Sequence, residues 1–183
     1  MGVTHLSIAL CSFCGSRAKK KTAYLELHKR NEISQLYHER LLFDSRSRGP
    51  ERTHFTLHGA DYYPCVESRE IPSLMNSGYD YLILDTGSLK EADCSELLRC
   101  DRKLVLGSLA PWKIKSCQEF FLQFDTTVNL GEGFCYLVQA KITGNIPDFI
   151  KTTHISMQSI PFISNPFRIR KECFTFLEEL TAV

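Results

Sequence analysis

The segment Tyr79–Asp85 constrains the fold of this chain more than any other feature. Its sequence is Tyr-Asp-Tyr-Leu-Ile-Leu-Asp, with three consecutive aliphatic residues at positions 82–84. A strand with an unbroken apolar run is typical of a sheet that is covered on both faces, as parallel sheets are. The residues that follow, Thr86-Gly-Ser88, turn the chain towards a helix predicted at 90–99. The segment therefore predicts a strand inside a helix-covered sheet.

Strands and helices alternate along the rest of the chain. Further strands are predicted at 22–28, 103–106, 134–140 and 155–160, and helices at 4–13, 31–37, 71–76, 111–122, 146–151 and 167–180. Two short strands, 53–57 and 62–66, flank a His-Gly-Ala-Asp turn and predict a β-hairpin at a sheet edge. The pattern predicts an α/β fold with a mostly parallel sheet and helices on both faces. Ligands of such folds bind at the carboxyl ends of the strands.

Length and composition narrow the class of protein. The chain has 183 residues, so we expect one domain spanning 1–183. A formal net charge of +1 gives no electrostatic reason to expect a nucleic acid partner. No stretch reads as a transmembrane segment or a signal peptide, which predicts a cytoplasmic protein. The eight cysteines have no repeated spacing, so we expect reduced thiols that pack as small apolar side chains.

Three local features have a functional and a structural interpretation. Cys11 and Cys14 form a C-x-x-C, but it has no second pair and lies within a predicted helix, which favours two core residues over zinc or redox chemistry. Trp112 could anchor a partner, but packing of a helix on the sheet is the preferred interpretation. Segment 44–52 is polar and rich in arginine, and a solvated loop is preferred over a phosphate contact.

Four segments together resemble the ParA/MinD group of bacterial P-loop ATPases. Segment 79–88 resembles their Walker B strand, which ends in an aspartate that holds the magnesium shell. Segment 1–6 resembles the second half of their P-loop, Gly-Lys-Thr-Thr followed by a helix. Segment 22–28 is similar to their next strand, which ends Asp-x-Asp, and segment 160–167 stands where the family has an Ile-Pro turn beside the adenine. The atypical TadZ/CpaE proteins of pilus assembly, with their degraded P-loop, are the most similar members.

The resemblance assigns a vestigial nucleotide-binding role to residues 2–5. Gly2 takes the place of the P-loop glycine, Val3 of the lysine, Thr4 of the magnesium-binding hydroxyl and His5 of the second threonine. Thr4 and Asp85 would then form the magnesium shell, if ATP and magnesium are retained. Valine carries no charge, and phosphoryl transfer depends on charge stabilisation, so the resemblance implies a degenerate Walker A motif and no catalytic residue. Thr4 as a helix N-cap, and Asp85 as a cap of the following turn, remain alternatives.

The two aspartates of the family's switch segment are both replaced. Glu26 stands at the first position and His28 at the second, which assists hydrolysis in the family. These residues are the switch equivalents that the resemblance implies. His5 and His28 could bind a metal with Glu26 and Asp85, but two surface histidines and no metal site are the preferred interpretation.

The P-loop of the family is preceded by a strand and a glycine-rich half-loop, which would lie upstream of residue 1. We therefore expect a fragment that lacks the first strand, or a partner that supplies it. The resemblance implies a non-hydrolysing interaction or localisation module, in pilus assembly or secretion, that binds a protein partner or a second copy. The alternative is an active ATPase whose P-loop is completed upstream of Met1. A DNA-binding partition protein is a weaker third hypothesis, and peripheral membrane association through the last helix stays open.

Overall fold

The computed structural model of the chain describes residues 2–43, 54–88, 94–125, 133–139 and 157–182. They fall into two compact units. The first unit contains residues 2–93 and 163–171, and the second contains residues 94–162 and 172–183.

The first unit is built around a four-stranded sheet. Its elements are α1 Val3–Ser12, β1 Thr22–Glu26, α2 Glu32–Phe43, β2 Phe55–Leu57, β3 Ala60–Tyr63, α3 Ile71–Met75 and β4 Tyr81–Asp85. The strand order is β2-β3-β1-β4, and β1 runs parallel to both β3 and β4. The hairpin β2–β3 is antiparallel and lies at the edge of the sheet, as the sequence predicts.

The core of this unit lies on both faces of β1. Tyr24 packs in one cluster with Ile8 and Cys11 of α1 and Ile33 of α2. Ala23 and Leu25, which the alternation of a strand directs to the opposite face, pack in a second cluster with Ile71 of α3. Helices therefore cover both faces of the sheet, which confirms the predicted architecture.

The strand that is buried most completely is β1 and not β4. All five residues of β1 are buried, whereas the first four residues of β4 are only partly buried. The expectation that segment 79–85 is the clearest buried strand was therefore wrong. The reason is its place in the sheet, because β4 pairs with β1 and lies at the edge of the four strands that the structure describes in this unit.

Helix α1 has the predicted apolar face, but it ends differently. Leu6, Ala9, Leu10 and Phe13 are buried, as the spacing predicts. The α-helix ends at Ser12 and continues as a wider π-type turn over Phe13–Arg17. Gly15 lies inside that turn. It meets Gly59 of the hairpin so closely that an added Cβ would stand 2.3 Å from the Gly59 carbonyl oxygen.

The N-terminus of α2 is capped by a residue that the sequence did not predict. Asn31, the residue before this helix, has a φ of 54°, and its side chain accepts a hydrogen bond from the thiol of Cys65. Oε1 of Glu26 accepts hydrogen bonds from the backbone N–H groups of Glu32 at 2.8 Å and Ile33 at 3.3 Å. The cap therefore comes from the end of β1.

The second unit contains a parallel sheet of three strands in the order β5-β6-β7. Its elements are α4 Cys94–Arg99, β5 Lys103–Gly107, α5 Ile114–Asp125, β6 Phe134–Val138, β7 Met157–Ser159 and α6 Phe174–Thr181. Phe176, Leu177 and Leu180 form a buried stripe on α6. The expected helix at 146–151 and the polar segment 44–52 lie outside the described residues.

Two expectations about aromatic residues were wrong. Trp112 was expected to pack a helix on the sheet, but 80% of it is exposed, because it lies in the turn before α5 begins at Ile114. The last helix was expected to begin near Phe167. Instead, the N–H of Phe167 donates to Oδ1 of Asn165 in a turn, and α6 begins at Phe174.

Candidate functional site

Buried polar side chains gather at the carboxyl ends of β1 and β4. Glu26 and Asp85, the last residues of these two parallel strands, are direct neighbours in the register, and neither is exposed to solvent. His28 follows two residues after Glu26 and is only 3% exposed. The structure thus brings together three of the residues that the sequence singles out. The expectation of a surface histidine at position 28 was wrong.

Both carboxylate oxygens of Asp85 accept hydrogen bonds from the protein. Oδ2 accepts from the hydroxyl of Tyr24 at 2.7 Å, and Oδ1 accepts from the backbone N–H of Gly87 at 2.9 Å. The second bond is the turn cap considered from the sequence. Burial, reinforced by the negative charge of Asp85, raises the pKa of the Tyr24 hydroxyl far above its usual range, so this group remains a donor at physiological pH.

The imidazole of His28 lies between the two carboxylates. Its Nε2 is 3.5 Å from Oδ2 of Asp85, and its Nδ1 is 4.0 Å from Oε1 of Glu26. Nδ1 accepts a hydrogen bond from the backbone N–H of Arg30 at 3.3 Å, which assigns the proton of a neutral ring to Nε2, on the side of Asp85. Among the described residues, Nε2 of His28 and Oε2 of Glu26 make no hydrogen bond.

The N-terminus of α1 has no side-chain cap. Gly2 is the N-cap residue, with an extended backbone, so the alternative of Thr4 as the N-cap was wrong. His5 Nε2 lies 2.8 Å from the carbonyl oxygen of Ile163, so the first turn of α1 contacts the segment that the resemblance assigns to the family's Ile-Pro turn. Within the described ranges, no hydrogen bond joins Thr4 to Asp85.

Two observations bear on whether these residues fit a magnesium–ATP centre. Val3 supplies no positive charge to phosphate oxygens, and both oxygens of Asp85 are engaged by protein donors. In the described part of the chain, no group of three or more His, Cys, Asp or Glu side chains could hold a metal ion. What α1 offers an anion is the backbone N–H groups of its first turn.

Tyr24 is the site residue that sequence reasoning missed. A tyrosine in the middle of a buried strand carries a hydroxyl that needs a hydrogen-bond partner, so the signal was present. Its partner lies 61 positions away, and no local pattern identifies it.

The sequence and the structure of the chain were each compared with known proteins. No protein-family model and no curated protein matches the sequence. Over the described residues, no helix has the length and apolar character needed to cross a membrane.

Several solved structures are similar to this one. A plasmid partition protein of Borrelia burgdorferi superposes with a TM-score of 0.63 at 14% identity, covering 98% of this chain and 92% of that one. A putative plasmid partition protein of Borrelia burgdorferi B31, bound to AMPPNP, has a TM-score of 0.62 at 16% identity and covers 95% and 88%. The MinC:MinD cell division protein complex of Aquifex aeolicus gives 0.57 at 13% identity, covering 96% and 80%. The chain therefore has a ParA/MinD-like fold.

Proposed function

We propose that this chain is a degenerate ParA/MinD-like domain that binds a protein partner or a second copy of itself and does not hydrolyse ATP. The observation that carries the proposal is Val3 at the position that the resemblance gives to the P-loop lysine. Hydrolysis of ATP requires positive charge at the transferred phosphoryl group, and valine cannot supply it.

The geometry at Asp85 supports the same conclusion. The Tyr24 hydroxyl and the Gly87 N–H each donate to one oxygen of Asp85, which ties this carboxylate to the protein and leaves fewer lone pairs for the water molecules of an ion. His28, at the position of the second switch aspartate, presents an imidazole and not a carboxylate. Val3 and His28 are thus the two replacements, at positions that the resemblance assigns, that support the absence of turnover.

The fold of the chain supports a role in binding a protein partner. The MinD of the Aquifex aeolicus structure is in a complex with MinC, which makes a protein partner the natural function for a domain of this fold without turnover. The resemblance to TadZ/CpaE makes pilus assembly or secretion the proposed setting, in the cytoplasm. The neighbours from Borrelia burgdorferi share the fold alone, and a net charge of +1 does not support a DNA-binding role.

A second candidate is nucleotide binding, with or without turnover. The uncapped first turn of α1 is the observation that favours it, because free backbone N–H groups at a helix N-terminus attract phosphate. The AMPPNP-bound Borrelia burgdorferi structure has the same fold.

Calorimetric titration separates the two candidates. ATP and ADP, each with magnesium, are titrated into the chain, and sedimentation is measured with and without nucleotide. The proposed function predicts self-association or partner binding that does not depend on nucleotide. Saturable binding of ATP would establish the second candidate, and steady release of phosphate in addition would contradict the proposed absence of hydrolysis.

A further inference from the structure

A cavity of about 550 Å³ opens in the first unit at the carboxyl ends of three strands. Its walls are segment 27–31 after β1, segment 65–68 after β3, and Thr86 after β4; Arg30 is the one member of these segments that does not line it. Small-molecule sites have volumes of about 300–1,000 Å³, so the size suits a small ligand. None of residues 2–5 lines the cavity, whereas His28, which the resemblance assigns to the switch segment, does.

The lining carries hydrogen-bond donors that the protein leaves unused. Across the residues that the structure describes, no hydrogen bond or ion pair engages the side chains of Lys29, Ser68 or Thr86. The amide oxygen of Asn31 accepts from the Cys65 thiol, which leaves the NH₂ group of Asn31 as a further donor. An ammonium, an amide and two hydroxyls therefore line one cavity.

The carboxylates nearby already have an ion-pair or hydrogen-bond partner. Glu67, which also lines the cavity, forms an ion pair with Arg69 at 2.7 Å. Glu26 accepts from the N-terminus of α2, and Asp85 accepts from Tyr24 and Gly87. Because these carboxylates already have protein partners, they do not occupy the free donors of the lining, which can serve an external acceptor.

The backbone holds the two sides of the cavity in an unusual conformation. Asn31 and Cys65 have φ values of 54° and 52°, in the left-handed region that few residues other than glycine adopt. Their side chains bond to each other and so join the loop after β1 to the loop after β3. Residues held in such conformations concentrate at ligand-binding sites.

The chemistry of the lining indicates binding and not covalent catalysis. Burial and the neighbouring Glu26 carboxylate raise the pKa of the Cys65 thiol, which makes it a weak nucleophile at neutral pH. His28, which lines the cavity, is only 3% exposed and turns its Nε2 towards Asp85.

We propose that this cavity binds a small anion through a carboxylate or phosphate group, with Lys29 as the charged contact and Asn31, Ser68 and Thr86 as hydrogen-bond donors. The proposal does not use residues 2–5, so it stands whether or not the chain binds ATP.

The test is a titration of the whole chain, labelled with ¹⁵N, with inorganic phosphate in one arm and succinate in the other. We expect saturable shifts of the backbone amides of 28–31 and 65–68 in at least one arm. Shifts with phosphate alone identify a phosphate ligand, and shifts with succinate alone identify a carboxylate. Lys29→Met should weaken binding about tenfold, the effect of losing one charge-assisted hydrogen bond.

Lys20→Met is the matched control, because Lys20 is also exposed in the first unit but does not line the cavity. It should leave the affinity unchanged. Ser68→Ala serves as a second variant if Lys29→Met alters the spectrum of the free protein. The proposal is overturned if neither anion gives saturable shifts, or if Lys29→Met and Ser68→Ala both bind as the unmodified chain does.

Discussion

The hydroxyl of Tyr24 donates a 2.7 Å hydrogen bond to Oδ2 of Asp85, and this bond joins the middle of β1 to the end of β4. Neither residue is exposed to solvent. The carboxylate that the family resemblance assigns to magnesium is thus tied to the core of the sheet. Its second oxygen holds the turn at Gly87. The geometry gives Asp85 a structural role, whatever it also binds.

Tyr24→Phe should destabilise the first unit. The substitution removes the donor and leaves a buried carboxylate oxygen with one fewer partner, which costs about 1–3 kcal/mol. Urea denaturation of the chain measures the change in the free energy of unfolding. Tyr62→Phe is the matched control, because Tyr62 is also fully buried and stacks on Tyr24 at 5.5 Å, while its hydroxyl lies near Ser12 and donates to no carboxylate among the described residues. Equal losses of stability in the two variants would contradict this role of the bond.

Gly15→Ala should lower the free energy of unfolding, because the backbone at Gly15 lies against the backbone at Gly59. The added Cβ would stand 2.3 Å from the carbonyl oxygen of Gly59, so the turn after α1 and the hairpin β2–β3 would have to separate. Overpacking of this kind costs about 1–3 kcal/mol or more. Gly2→Ala is the control, since nothing lies within 4 Å of its Cβ position, and it should cost less than about 1 kcal/mol. Thermal unfolding of both variants checks the prediction, and a Gly15→Ala protein as stable as Gly2→Ala would refute it.

Glu26→Ala should weaken α2 more than Glu26→Gln does. The alanine leaves the N–H groups of Glu32 and Ile33 without their acceptor, whereas the glutamine keeps a side-chain oxygen. Loss of an N-terminal cap costs about 0.5–2 kcal/mol. Hydrogen exchange at the amides of Glu32 and Ile33 reports the cap directly. The account predicts faster exchange in Glu26→Ala, and unchanged exchange there would show that Glu26 is not the cap.

Stability should fall at alkaline pH. Burial raises the pKa of the Cys14 thiol from 9.0 to about 11, so the folded chain keeps this proton at a pH where the unfolded chain releases it. The stabilisation is complete below pH 9 and is lost as the pH rises towards about 11. Urea denaturation across this range measures the slope, which Cys14→Ala should reduce. A free energy of unfolding that is constant from pH 9 to about 11 would contradict the prediction.

The sequence predicts the helices and strands of the fold better than it predicts how deeply each of them is buried. The periodic apolar face of α1, the hairpin at His58-Gly59 and the parallel strands follow from local patterns, and the structure confirms them. Burial is different, because it depends on neighbours in space. β4 has three consecutive aliphatic residues, yet it lies at the edge of the four strands described in its sheet, whereas β1 is an inner strand and all five of its residues are buried.

In the candidate site, too, some features could be predicted from the sequence and others could not. Parallel strands bring their carboxyl ends together, so the proximity of Glu26 and Asp85 could be predicted from the sequence. The burial of His28 could not, because it results from a turn that places the ring between two carboxylates. The exposure of Trp112 was also unpredictable, since it depends on where α5 begins. The roles of residues 2–5 stay predictions.

The absence of ATP turnover is the central claim, and phosphate release by the whole chain with magnesium and ATP tests it most directly. Asp85→Asn is the comparison, after circular dichroism has shown that it is folded. We predict that the chain and the variant release phosphate at the same background rate. Steady turnover by the unmodified chain that disappears in Asp85→Asn would contradict the account.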